Sequence, residues 1–172
     1  MRKTILTLTI ALISVFAYSL DKIYTHKGDS IVCKVTEMGE KTIKYKYEGE
    51  ELTNSITKNL VSQVKFANGR TQKVSDKVVV ASVLDWEKVI ITNVESDVEG
   101  LTRVGEMMAK ASSGWSTTNQ GKMEKKAMDK LKKDAAAQGC HIVLLLTTTG
   151  KGGHYGVSGG TKASVTGVAY KY

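Results

Sequence analysis

Cys140, His141 and His154 are the residues of this chain whose types suit a metal ion, since thiolate and imidazole together favour zinc or copper. Their spacing argues the other way. Cys140 and His141 are neighbours at the start of an apolar run, and adjacent side chains on a strand point to opposite faces, so both reach one ion only through a kink. No CxxC or HxxxH pair stands beside them. The plainer reading is a buried cysteine beside two surface histidines. Residues 156–160, Gly-Val-Ser-Gly-Gly, match the Gly-x-Ser-x-Gly expression of serine hydrolases. That motif needs a strand, a strained elbow and a helix, whereas here a glycine-rich loop joins two strands. The same glycines lack the strand-to-helix setting of a phosphate-binding loop. They fit a hairpin tip that presents Lys151, His154 and Tyr155 to a partner. Trp115, in a Ser/Thr-rich loop, is a further contact candidate, able to anchor a partner or to fold back on the helix and close the core edge. No catalytic residue and no cofactor follow from these residues.

The elements that position them centre on residues 122–149. Met123, Ala127, Leu131 and Ala135 recur every four residues, with Met128 alongside, while Lys125, Lys126, Lys132 and Lys133 can face water: a one-sided helix. Gly139 suits the left-handed residue past its end, and Thr117 with Gln120 has capping-box spacing at its start. The strand that follows is apolar on both alternate sets, Ile142, Leu144 and Leu146 against Val143 and Leu145, which predicts burial on two sides. One helix covers one face. The other needs the N-terminal half or a second copy of the chain, and a homo-oligomer is expected on that ground.

Residues 20–75 show short alternating runs, Ile31, Cys33, Val35 and then Ile43, Tyr45, Tyr47, broken by glycine turns, with Asn68-Gly69 a two-residue hairpin signal. Such closely spaced strands predict a small antiparallel sheet curled into a barrel. Residues 76–86 form a connector with strand character, ending at Trp86 as a core residue. Residues 87–172 then give the order ββαββ, so the fold class expected is α+β, a small β-barrel-like module followed by a domain with one helix on a mainly antiparallel sheet.

Residues 1–19, MRK and an apolar run broken by threonine and serine, have the form of a secretory signal peptide. Its removal predicts a periplasmic or secreted protein with no stable membrane span. It takes the 25 basic residues down to 23 against 17 acidic ones, an excess of about +6. Only Arg70 and Arg103 remain as arginines. Lysine lacks the planar fork that reads bases, which favours a solubilising coat, or loose contact with an anionic envelope polymer, over sequence-specific nucleic-acid recognition. Cys33 and Cys140 could pair in an oxidising compartment, but two buried thiols explain them equally well.

Residues 100–112 and the helix ending LKKDAAAQGCHIVLL, followed by the last strand SVTGVAYKY, resemble a bacterial family labelled heavy-metal-binding domain and related envelope-stress-sensing outer-membrane lipoproteins. Gly105, Ala135, Ala136, Gly139, Gly167 and Ala169 carry the likeness. It implies the fold, and ring-shaped oligomers, rather than an activity, because small residues record packing. Cys140-His141 depart from that pattern, which has small or apolar residues there. The N-terminal half resembles a β-module of secreted Bacteroidetes proteins. The function expected is that of a non-catalytic binding or sensing protein of a bacterial envelope, its partner an envelope protein or anionic polymer; the alternatives are a zinc- or copper-binding periplasmic protein and an enzyme.

Overall fold

A computed structural model describes residues 20–114, 119–152 and 160–172. The signal-like segment, Trp115, Thr117, His154, Tyr155 and residues 156–159 of the Gly-x-Ser-x-Gly run lie outside the described residues.

The N-terminal half is a six-stranded antiparallel sheet of β1 (Asp21–Thr25), β2 (Ser30–Met38), β3 (Thr42–Lys46), β4 (Asn54–Thr57), β5 (Val61–Lys65) and β6 (Thr71–Lys73). Alternation buries one face, with Ile23, Cys33, Ile43, Val61 and Val64 wholly enclosed. The Asn68-Gly69 turn joins β5 to β6, Gly69 taking φ +87°. The strand order β4-β3-β2-β1-β5-β6 does not close, contrary to the barrel expectation. β4 does not pair with β6 and is instead met by the other half of the chain. The Thr57 amide donates to the Glu99 carbonyl at 3.2 Å. Gly100, at φ +80°, lies so close that a Cβ there would sit 3.4 Å from Leu60 Cδ2.

The connector is not strand-like. It runs without regular structure to a 3₁₀ turn, Val83–Lys88, fixed by a capping box between Ser82 and Asp85. Trp86 is half-buried against the helix core, with Lys133 Nζ 5.0 Å from its ring centre, rather than a core residue.

The second sheet contains β7 (Ile90–Thr92), β8 (Thr102–Ser112), β9 (Ile142–Lys151) and β10 (Lys162–Lys171), with α1 (Gln120–Ala137) between β8 and β9. Two sheets and one main helix make the chain α+β, and the second half keeps the order ββαββ. The spatial order is β7-β9-β10-β8, parallel between β7 and β9 and antiparallel elsewhere. Asn119 caps α1 by accepting the Gly121 amide at 2.8 Å. At the other end Gly139 takes φ +67°, and the amides of Gly139 and Cys140 donate to the carbonyls of Ala136 and Ala135, the paired bonds of a Schellman stop. Met123, Ala127, Leu131 and Ala135 are fully buried against Ala109, Val143, Val165 and Ala169. A Leu131 lost from that stripe would cost about 2–5 kcal/mol. Among the described residues no helix is long and apolar enough to cross a membrane.

β9 is interior on both sides only at its start. Ile142 and Leu144 pack with Val98, Leu101 and Tyr170, so the second layer comes from the same chain. β7 pairs with β9 only as far as Leu144, and Leu146 is 51% exposed. The middle strand of the three long ones is β10.

Two clusters help to fix the seam between the halves. Asp97 is buried; its carboxylate accepts from Thr92 Oγ1 (2.7 Å) and pairs with Lys41 Nζ (3.3 Å), while its carbonyl accepts from Thr57 and Asn59. In the other cluster the Tyr172 ring stacks on His141 (centroids 3.6 Å apart, 17° between planes) and meets His26 edge-on at 5.2 Å.

Candidate functional site

Cys140 and His141 fall in different surroundings. The cysteine is buried in the core under α1, its Sγ 3.8 Å from the Gln138 carbonyl, and burial raises its pKa. The imidazole is in the seam against Tyr172, its Nε2 enclosed with no hydrogen-bond partner among the described residues. Burial first, then the nearby His26 and Lys77, push His141 down to about 4, so it is neutral at pH 7. The alternation that parts them on a strand parts them here, and among the described residues no three His, Cys, Asp or Glu side chains gather as a metal site would need. Cys33 lies in the core of the first sheet, so both cysteines are free thiols.

A different group of residues converges on the face of the second sheet opposite α1. Ala163 and Val165 of β10 point to the helix, so Lys162 and Ser164 point away from it. Register then fixes their neighbours. Lys162 lies opposite Ser112 of β8 and Lys151 of β9; Ser164 lies opposite Lys110 and Thr149. Three lysines and three hydroxyl residues therefore occupy two adjacent rows of one sheet face. They line, with Ala111, Gly150 and Ala163, a cavity of about 450 Å³. Thr149 Oγ1 donates across the ladder to the Ser164 carbonyl at 3.5 Å.

Charge balance on this face is one-sided. Lys110, Lys151 and Lys162 form no ion pair among the described residues. The acid further along β8, Glu106, is paired with Arg103 at 3.2 Å. Lys151 and Lys162 stand directly opposite each other, an arrangement that costs stability in a sheet. Among the described residues these two rows keep like charges together without a carboxylate.

Of the residues singled out in the sequence as contacts, Lys151 is in this group. Lys110, Lys162, Ser112, Ser164 and Thr149 were missed, because two-residue alternation was used to find core positions and not to pair the polar ones. A signal did exist: no Asp or Glu occurs from residue 107 to residue 123, nor from residue 135 to residue 172.

No family model, curated protein or solved structure matches this chain. The reading of the site therefore rests on its own residues.

Proposed function

We propose that the protein is an exported, non-catalytic binding component of a bacterial envelope and that its ligand is anionic, held on the open face of the second sheet. The carrying observation is the acid-free cluster of Lys110, Lys151 and Lys162 with three hydroxyl residues around the cavity. Lysine ammonium groups give charge attraction, and serine and threonine hydroxyls give donors that turn to suit an oxyanion. Ser112 and Ser164 lie opposite lysines, but among the described residues no hydrogen bond holds either hydroxyl against a lysine amine, which is the support for a binding rather than a catalytic role. The leader-like first residues are the support for export.

The test is affinity for a soluble anionic polymer such as dextran sulfate at two salt concentrations. The Lys110→Gln, Lys151→Gln, Lys162→Gln chain is compared with one carrying Lys122→Gln, Lys125→Gln and Lys126→Gln. These three helix lysines are exposed too and lie on the far side of the sheet. Both variants lose the same net charge. The sheet variant is expected to lose at least tenfold more affinity and to show a shallower salt dependence. Equal losses reduce the interaction to net charge and defeat the proposal.

A further inference from the structure

Among the described residues three of the four sheet edges are short: β4, β6 and β7 have four, three and three residues. The fourth is β8, with 11. An end strand turns every second amide and carbonyl away from its neighbour, so a long straight one is a template for another strand. Val104 is the extra residue of a bulge, since Ala169 lies opposite Gly105 and Tyr170 opposite Arg103. From Gly105 to Ser112 the ladder to β10 is unbroken. Past it the chain stays on the β10 side, where the Ser113 amide donates to the Thr161 carbonyl and the Gly160 amide to the Gly114 carbonyl. Among the described residues no strand pairs with the outer side of this run.

Met107 and Ala109 are buried toward α1, so Glu106, Met108 and Lys110 stand on the open face, all three exposed. Residues that face each other across a ladder share a side of the sheet, so a two-fold axis relating two copies of β8 must pass beside a residue. In the run 105–112 only Met108 and Ala109 let such an axis pair seven residues of each copy. At Ala109 it sets Glu106 against Ser112. At Met108 it sets Glu106 of each copy against Lys110 of the other, with Met108 against Met108 and, on the helix side, Met107 against Ala109. We infer that β8 pairs antiparallel with β8 of a second copy about Met108, joining two four-stranded sheets into one. The pairing covers Met108, which is 57% exposed in the single chain. One Glu106 oxygen holds Arg103 at 3.2 Å and the other is left for Lys110 of the second copy. This ground for self-association is separate from the apolar β9, whose buried start the same chain covers. Nor does it rest on the anion-binding reading: the row of Ser112, Lys162 and Lys151 meets the Val104 bulge of the second copy and gains no acid.

The experiment is sedimentation equilibrium of the mature chain from low micromolar to submillimolar concentration. The native chain is expected to pass from monomer to dimer. Glu106→Lys and Lys110→Glu each place like charges opposite each other on both sides of the axis and should weaken the dimer at least about tenfold. An equimolar mixture of the two variants has opposite charges at both places and should dimerise as one of each. Both variants keep a positive net charge, so bulk attraction does not bring them together. Circular dichroism checks that each is folded, as expected for exposed side chains. A native chain that stays monomeric overturns the inference and leaves β8 to a strand of another protein or to none. A dimer that neither variant weakens lies at another surface and overturns it as well. Two weakened variants whose mixture stays monomeric refute the pairing about Met108.

Discussion

Acid should loosen the seam through His141, and the size of the effect follows from its surroundings. The imidazole is 2% exposed, stacked on Tyr172, with Nε2 unpartnered among the described residues and the cationic Lys77 and a second imidazole, His26, close by. Lys77 donates to the His26 carbonyl at 2.9 Å and lies 5.5 Å from the Tyr172 ring centre; Asp76 opposes it by favouring protonated His26. His26 itself is lowered, first by burial and then by Lys77, and its Nε2 is 2.8 Å from Ser75 Oγ. The folded His141 pKa is about 4 against 6.5 in the unfolded chain. The unfolded chain therefore takes up its proton first. Stability from the neutral ring is complete above pH 6.5, falls as pH drops below it, and is gone below pH 4. Linkage over that gap gives a loss of about 2 kcal/mol between about pH 7.5 and about pH 5, before most carboxylates protonate. His26 adds to it with the same sign. Urea unfolding followed by circular dichroism across that range measures the loss. His141→Phe keeps an aromatic ring against Tyr172 but takes no proton there, so its midpoint should fall clearly less than the native chain's, the remaining fall coming from His26. If the two chains lose stability in parallel, the seam is not the acid-sensitive element and the reasoning from burial fails.

Other outcomes follow from single contacts. Gly139→Ala forces a side chain into φ +67° and should cost about 1–2 kcal/mol, read as a lower urea midpoint with an unchanged slope. Gly167→Ala should cost about 1–3 kcal/mol because its methyl meets Val143 and the Leu144 carbonyl, and amide exchange should quicken along β9. Asp97→Asn keeps the shape but loses the charge facing Lys41, and should quicken exchange at the Thr57 amide more than at the β10 amides. Cys33, its thiol pushed up to about 11 by burial and Asp21, and Cys140 should both resist a disulfide-exchange reagent in the native protein and both react in urea. A reductant should leave the unfolding curve where it was.

How far the fold was legible varied with the kind of signal. Periodicity and the Gly139 stop gave α1 and its buried stripe, because a four-residue recurrence and a left-handed glycine are local requirements that the rest of the chain does not alter. The doubly apolar strand was half misread. Ile142 to Leu144 are interior, but Leu146 is outside, since what covers a strand depends on how far β7 and the segment near Val98 reach, and reach is a property of tertiary packing. The barrel failed for a similar reason: short end strands look the same whether they meet each other or meet a second domain. Among candidate residues, Cys140 and His141 drew attention by element chemistry and separated by alternation. The lysine cluster is invisible residue by residue, because Lys110 and Lys162 are far apart in sequence and become neighbours only through the β8–β10 register. The long absence of Asp and Glu around them was the readable trace.

Two-dimensional amide NMR of the mature protein titrated with dextran sulfate tests the central claim most directly. Shifts concentrated at Lys110, Ser112, Thr149, Lys151, Lys162 and Ser164, with the α1 amides of Lys125 and Lys126 still, are predicted. Shifts centred on α1, or spread evenly over every lysine of the chain, would contradict a binding face on the second sheet.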